Sequence, residues 1–144
     1  MLHPVCLFSV FGSLTLALAV DLEPLKIEKN LERRSELALV RADEAVTAAK
    51  KAYEASDSAA FKTQIADVEE LAEFSLQSLQ DTGKAARRSP KYFKRAELKL
   101  RALLRRLDTF ERDVSADDRE PIEQVKKRIH ALHDQILLDI MSKK

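Results

Sequence analysis

Between Val20 and Lys144 this chain has one glycine, Gly83, and three prolines, Pro24, Pro90 and Pro121. That scarcity of helix breakers limits the fold more than any other feature. Gly and Pro cost about 1 and 3 kcal/mol in a helix interior relative to Ala, whereas the Ala, Leu, Glu, Lys and Arg that dominate here are the best helix formers. The chain is therefore nearly all helix. Its breakers serve as punctuation: Pro24 opens a first helix, Ser56-Asp57-Ser58 separates it from a second, and Gly83 ends the second. Ser89-Pro90 offers a cap and a first-turn proline for a third, and Asp117 or Asp118 with Pro121 starts a fourth. Helices are expected near 24–55, 58–82, 90–113 and 118–142.

Each segment carries an apolar stripe at helical spacing. In the third, Phe93, Ala96, Leu100, Leu103, Leu107, Phe110 and Val114 form a heptad-like seam widened by Leu104. Ile122, Val125, Ile129, Leu132 and Ile136 repeat those steps in the fourth, before the stripe drifts toward Ile140. Phe61, Ile65, Val68, Ala72, Leu76 and Leu79 line one face of the second. The first differs in kind, because Ala38, Ala42, Ala45, Ala49 and Ala52, flanked by Leu39, Val46 and Tyr53, make a small-residue stripe that permits close helix approach. Short connections favour antiparallel neighbours, so the expected fold is all-α, an antiparallel four-helix bundle, with a TPR-like or other helical array as the alternative. Lys50 to Phe61, KKAYEASDSAAF, resembles the helix-turn-helix junction of tetratricopeptide repeats, although Ser56 stands where that family has glycine and the spacing from Tyr53 is one residue short. Nothing comparable recurs at the family's period of about 34 residues, and no membership follows.

Ahead of the helices, Val5 to Leu18 is an almost continuous apolar run ending in Ala17-Leu18-Ala19, a small-x-small pattern, after which Val20-Asp21 begins the charged chain. Residues 1–19 are expected to be a cleaved signal peptide, although the stretch before the run lacks Lys and Arg. The run of 14 residues from Val5 to Leu18 is short of the ~20 that span a bilayer as a helix. Cleavage leaves 20–144 as a single domain of 144 − 19 = 125 residues without cysteine, since Cys6 is the only one. Neither disulfides nor thiolate metal sites would hold it together, and Asn30 is not a glycosylation acceptor. Export to a periplasm is the expected address, with extracellular release or an uncleaved N-terminal anchor as alternatives.

A net charge of +1 conceals strong segregation. Lys84, Arg87, Arg88, Lys91, Lys94, Arg95, Lys99, Arg101, Arg105 and Arg106 face the single acid Glu97, so ten cations less one anion give a local +9. Acidic blocks flank them at Asp67–Asp81 and Asp108–Glu123. Either acidic faces of neighbouring helices neutralise the basic face as surface ion pairs, or Lys91, Lys94, Arg95, Lys99, Arg101, Arg105 and Arg106 form a docking surface. The partner would then be a protein or an anionic cell-envelope component, including peripheral contact with a membrane surface. Nucleic acid is not expected as a partner, because export removes the chain from most of it and no reader motif accompanies the charges. Phe74, roughly opposite its helix's buried stripe, and Leu98, among the basic residues, are either isolated surface side chains or contacts, and a second apolar face would suit a homodimer.

His130, His133 and Asp134 share a helix face at spacings of three and four and make the one candidate metal-ligand cluster, but no second such stretch supplies further ligands. No nucleophile elbow, cysteine nucleophile or nucleotide-binding motif is present in 20–144, and no enzyme activity or cofactor is expected. The expected function is an exported, non-enzymatic helical interaction protein, with a small metal- or anionic-ligand-binding protein as the alternative.

Overall fold

The computed structural model describes residues 20–142, and the expected signal segment 1–19 lies outside them. The described chain is all-helical: α1 (Glu23–Lys26), α2 (Leu31–Glu54), α3 (Ser58–Asp81), α4 (Pro90–Asp113) and α5 (Glu120–Met141), with a 3-10 turn at Ala116–Asp118. Helices α2, α3 and α4 each have 24 residues, hence a shared length of about 36 Å that lets them pack along their whole extent.

The helix expected over 24–55 is broken in two. Pro24 starts a single turn, but Asn30 takes an extended conformation and its side chain accepts a hydrogen bond from the Arg33 amide at 3.0 Å, so α2 begins at Leu31. Arg34 fastens the turn by donating to the backbone carbonyls of Glu28 and Lys26, both at 2.9 Å. At the far end of α2, Ser56 has φ +57°, while the Asp57 amide donates to the Ala52 carbonyl at 2.9 Å and the Ser56 amide to that of Tyr53 at 3.0 Å. This is a Schellman termination with serine in glycine's place. Asp57 then caps α3 through the Ala60 amide, and Gly83, at φ +69°, ends it. Ser89 and Asp118 do not act as the expected caps: the Ser89 side chain makes no capping bond, and Asp118 accepts from the Ser115 hydroxyl at 2.7 Å within the 3-10 turn.

The four long helices pack against one another as a four-helix bundle, with successive helices antiparallel. Around it the order is α2, α3, α5, α4, because α2 packs on α3 and α4, α5 packs on α3 and α4, and α2 and α5 do not meet. Two antiparallel hairpins thus lie as two layers. Glu36 pairs with Arg95 and Asp43 with Arg106, so α2 and α4 run parallel. The most extensive interface is α2 on α3, where the alanine seam is fully buried and Ser35 and Ser75 hydrogen bond at 2.7 Å, either hydroxyl able to donate. The apolar stripes read from the sequence form one continuous core with Leu25. Tyr53, Phe61 and Phe110 close one end edge to face, with ring centroids 5.4–6.3 Å apart. Phe74 is half-buried in the groove between α3 and α5, beside Arg128 and Leu132. Among the described residues no helix is long and apolar enough to cross a membrane.

Candidate functional site

The buried stripe of α4 leaves its opposite face to solvent, and the basic residues are on it. At 100° per residue, Lys94, Leu98, Arg101 and Arg105 fall within about 80° of Lys91 on the flank toward α5, whereas Arg95, Lys99 and Arg106 turn toward α2. The two flanks have different surroundings. Toward α2, Arg95 Nη1 is 3.0 Å from Glu36 Oε1, and Arg106 pairs with the Asp43 carboxylate while donating to the Asp43 carbonyl and the Thr47 hydroxyl, both at 2.9 Å. Lys84, in the preceding link, reaches Glu32 at 2.7 Å.

Neither acidic block that flanks the basic segment in sequence neutralises it. The block at Asp67–Asp81 lies on α3, which sits diagonally across the bundle from α4 and pairs instead toward α5, with Arg128 Nε 2.5 Å from Glu73 Oε1. In the other block, Asp108 and Glu111 are taken by Lys126 of α5, at 2.6 and 2.5 Å. Burial opposes the charge on Lys126, and the two carboxylates outweigh it, holding its pKa above the ordinary lysine value. Ten basic residues less the four that pair, Lys84, Arg95, Arg101 and Arg106, leave six with no carboxylate in ion-pair reach among the described residues: Arg87, Arg88, Lys91, Lys94, Lys99 and Arg105. Lys91 and Lys94 border a hollow of about 410 Å³ at the start of α4, lined also by the Lys84–Glu32 pair and by Tyr92, whose ring is 5.3 Å from Lys91 Nζ and 5.4 Å from the Arg95 guanidinium.

Glu97, the one acid of the segment, is only 6% exposed. It receives Arg101 one turn along α4, and His133 of α5 approaches it with Nε2 2.7 Å from Oε1. Burial raises the Glu97 pKa, but hydrogen bonds from His133 and Arg101 together with the Arg101 charge outweigh that and hold it below the ordinary carboxylate range. His133 is therefore part of the α4–α5 contact. His130 is exposed, and Asp134 Oδ1 lies 3.6 Å from His133 Nδ1, directed outward. The three residues of the candidate metal cluster are not brought together, and among the described residues no group of three His, Cys, Asp or Glu side chains is placed to hold an ion. Sequence reasoning missed Glu97 as a buried anchor; its spacing four residues before Arg101 signals the ion pair, but nothing in the sequence signals the cross-helix histidine.

No protein-family model, curated protein or solved structure matches this chain.

Proposed function

We propose that this chain is an exported, non-enzymatic helical interaction protein that docks onto an anionic partner through the solvent face of α4. One observation carries the reading: six cations clustered between Arg87 and Arg105 have no carboxylate partner among the described residues, although the bundle holds enough acids elsewhere to leave the whole chain at +1. Leaving like charges side by side costs repulsion that a neutral surface avoids, and an anionic partner relieves it. Arg95 and Arg106 on the α2 flank are committed to the fold, whereas Lys91, Lys94 and Arg105 on the outer face are at a partner's disposal.

Retention of the chain from Val20 onward on an immobilised polyanion tests the reading. Binding at low ionic strength that is lost as salt shortens the Debye length, and that Lys94→Glu with Arg105→Glu abolishes, is the expected result. Equal retention of the charge-reversed protein would show that the face does not dock, and light scattering on the same samples reports any homodimer.

A further inference from the structure

Resting on that reading, we infer that the partner of this face is an anionic lipid bilayer, with Leu98 seated at the headgroup boundary between Lys94 and Arg105. Helices α4 and α5 form one layer of the bundle, so their outward faces share one side, and a flat surface laid on that side meets both. On α4 it meets Lys91, Lys94, Leu98 and Arg105; on α5, by the same rotation per residue, it meets Lys127, Leu138 and Met141, along with His130 and the acids Asp134, Glu120 and Glu123, the last two at the end of the layer away from Lys91 and Lys94.

Three large apolar side chains stand among these charges with most of their surface in water: Leu98 is 56% exposed, Leu138 70% and Met141 72%. The antiparallel pairing of α4 with α5, fixed by Glu97 with His133 and by Lys126 with Glu111, puts the end of α5 beside the start of α4. Leu138 and Met141 therefore lie toward the same end of the layer as Lys91 and Lys94. An acidic polymer satisfies the cations and leaves the aliphatic groups wet. A bilayer takes both, because lysine stems lie along the interface with their ammonium groups at the phosphates while short aliphatics reach the acyl boundary.

The test compares the chain from Val20 onward, whose core closes within the described residues, with phosphatidylglycerol-containing vesicles, with pure phosphatidylcholine vesicles and with soluble heparin. Co-sedimentation with the first and not the second is expected. Leu98→Ser, at a position 56% exposed and with folding checked by its melting temperature, should weaken vesicle binding about tenfold while leaving heparin binding as it was. Lys94→Glu with Arg105→Glu should reduce both by more than about tenfold. Heparin binding without vesicle binding, or indifference of the vesicles to Leu98→Ser, overturns the bilayer and leaves the polyanion reading standing. Binding to neither removes both.

Discussion

His133 of α5 places Nε2 2.7 Å from Oε1 of Glu97 on α4, and that carboxylate is buried. The contact joins the two helices of the α4–α5 layer through a group that must stay ionised. Because the folded protein holds the Glu97 pKa below the ordinary carboxylate value, the carboxylate's contribution is fully present above the unfolded pKa of about 4.3 and is lost as pH falls through the lower folded value. Glu97→Gln is therefore expected to cost about 1–3 kcal/mol at pH 7 and less at pH 3. Urea unfolding midpoints measured from pH 7 to pH 3 check this, and parallel profiles for the two proteins would contradict it.

Ser35 and Ser75 share a buried hydrogen bond across the most extensive helix interface, α2 on α3. Replacing either one with alanine strands the other hydroxyl without water, at a cost of about 1–2 kcal/mol. The double alanine variant should recover much of that loss, since both polar groups are then gone and the seam still closes. Additive losses in a double-mutant cycle would mean that the hydroxyls do not act as a pair.

The elements and the core were legible because they depend on local chemistry. Gly83 and Pro90 bound the link before α4, and the residues from Phe93 to Phe110 that recur at helical spacing are the ones that pack inside. The break at Ile27–Asn30 was not legible, since it depends on the Asn30 cap and on Arg34 reaching back to two carbonyls, in a sequence that could equally continue as helix. Nor was the fate of the basic segment. Whether Arg95 and Arg106 find acids depends on α2 lying parallel beside α4, and whether Asp67–Asp81 can help depends on α3 being diagonal, and both follow from helix order around the bundle. Charge counts along a chain carry no such information. Glu97 was hidden for the same reason: it sits at the edge of the α4 stripe, and only α5 makes it interior.

Ser56 occupies the left-handed position that ends α2, where an L side chain crowds the backbone and glycine does not. Because the Schellman hydrogen bonds run through main-chain amides, Ser56→Gly keeps them. It should raise stability by about 0.5–1 kcal/mol, seen as a higher melting temperature with unchanged helicity. A lower melting temperature would mean that the Ser56 side chain holds the turn itself.

Arg105 and Arg106 are sequence neighbours with opposite commitments. Arg106 makes two hydrogen bonds of 2.9 Å to α2, at the Asp43 carbonyl and the Thr47 hydroxyl, besides its ion pair with Asp43, whereas Arg105 has no acid in reach among the described residues. Arg106→Ala should therefore lower unfolding free energy by about 1 kcal/mol through lost contacts between α2 and α4. Arg105→Ala should stay within about 0.5 kcal/mol of the unaltered protein while weakening its salt-sensitive retention on a polyanion. If both measurements move together in both variants, the cations of α4 form a single population, and the division between cations that anchor the fold and cations free to dock is wrong.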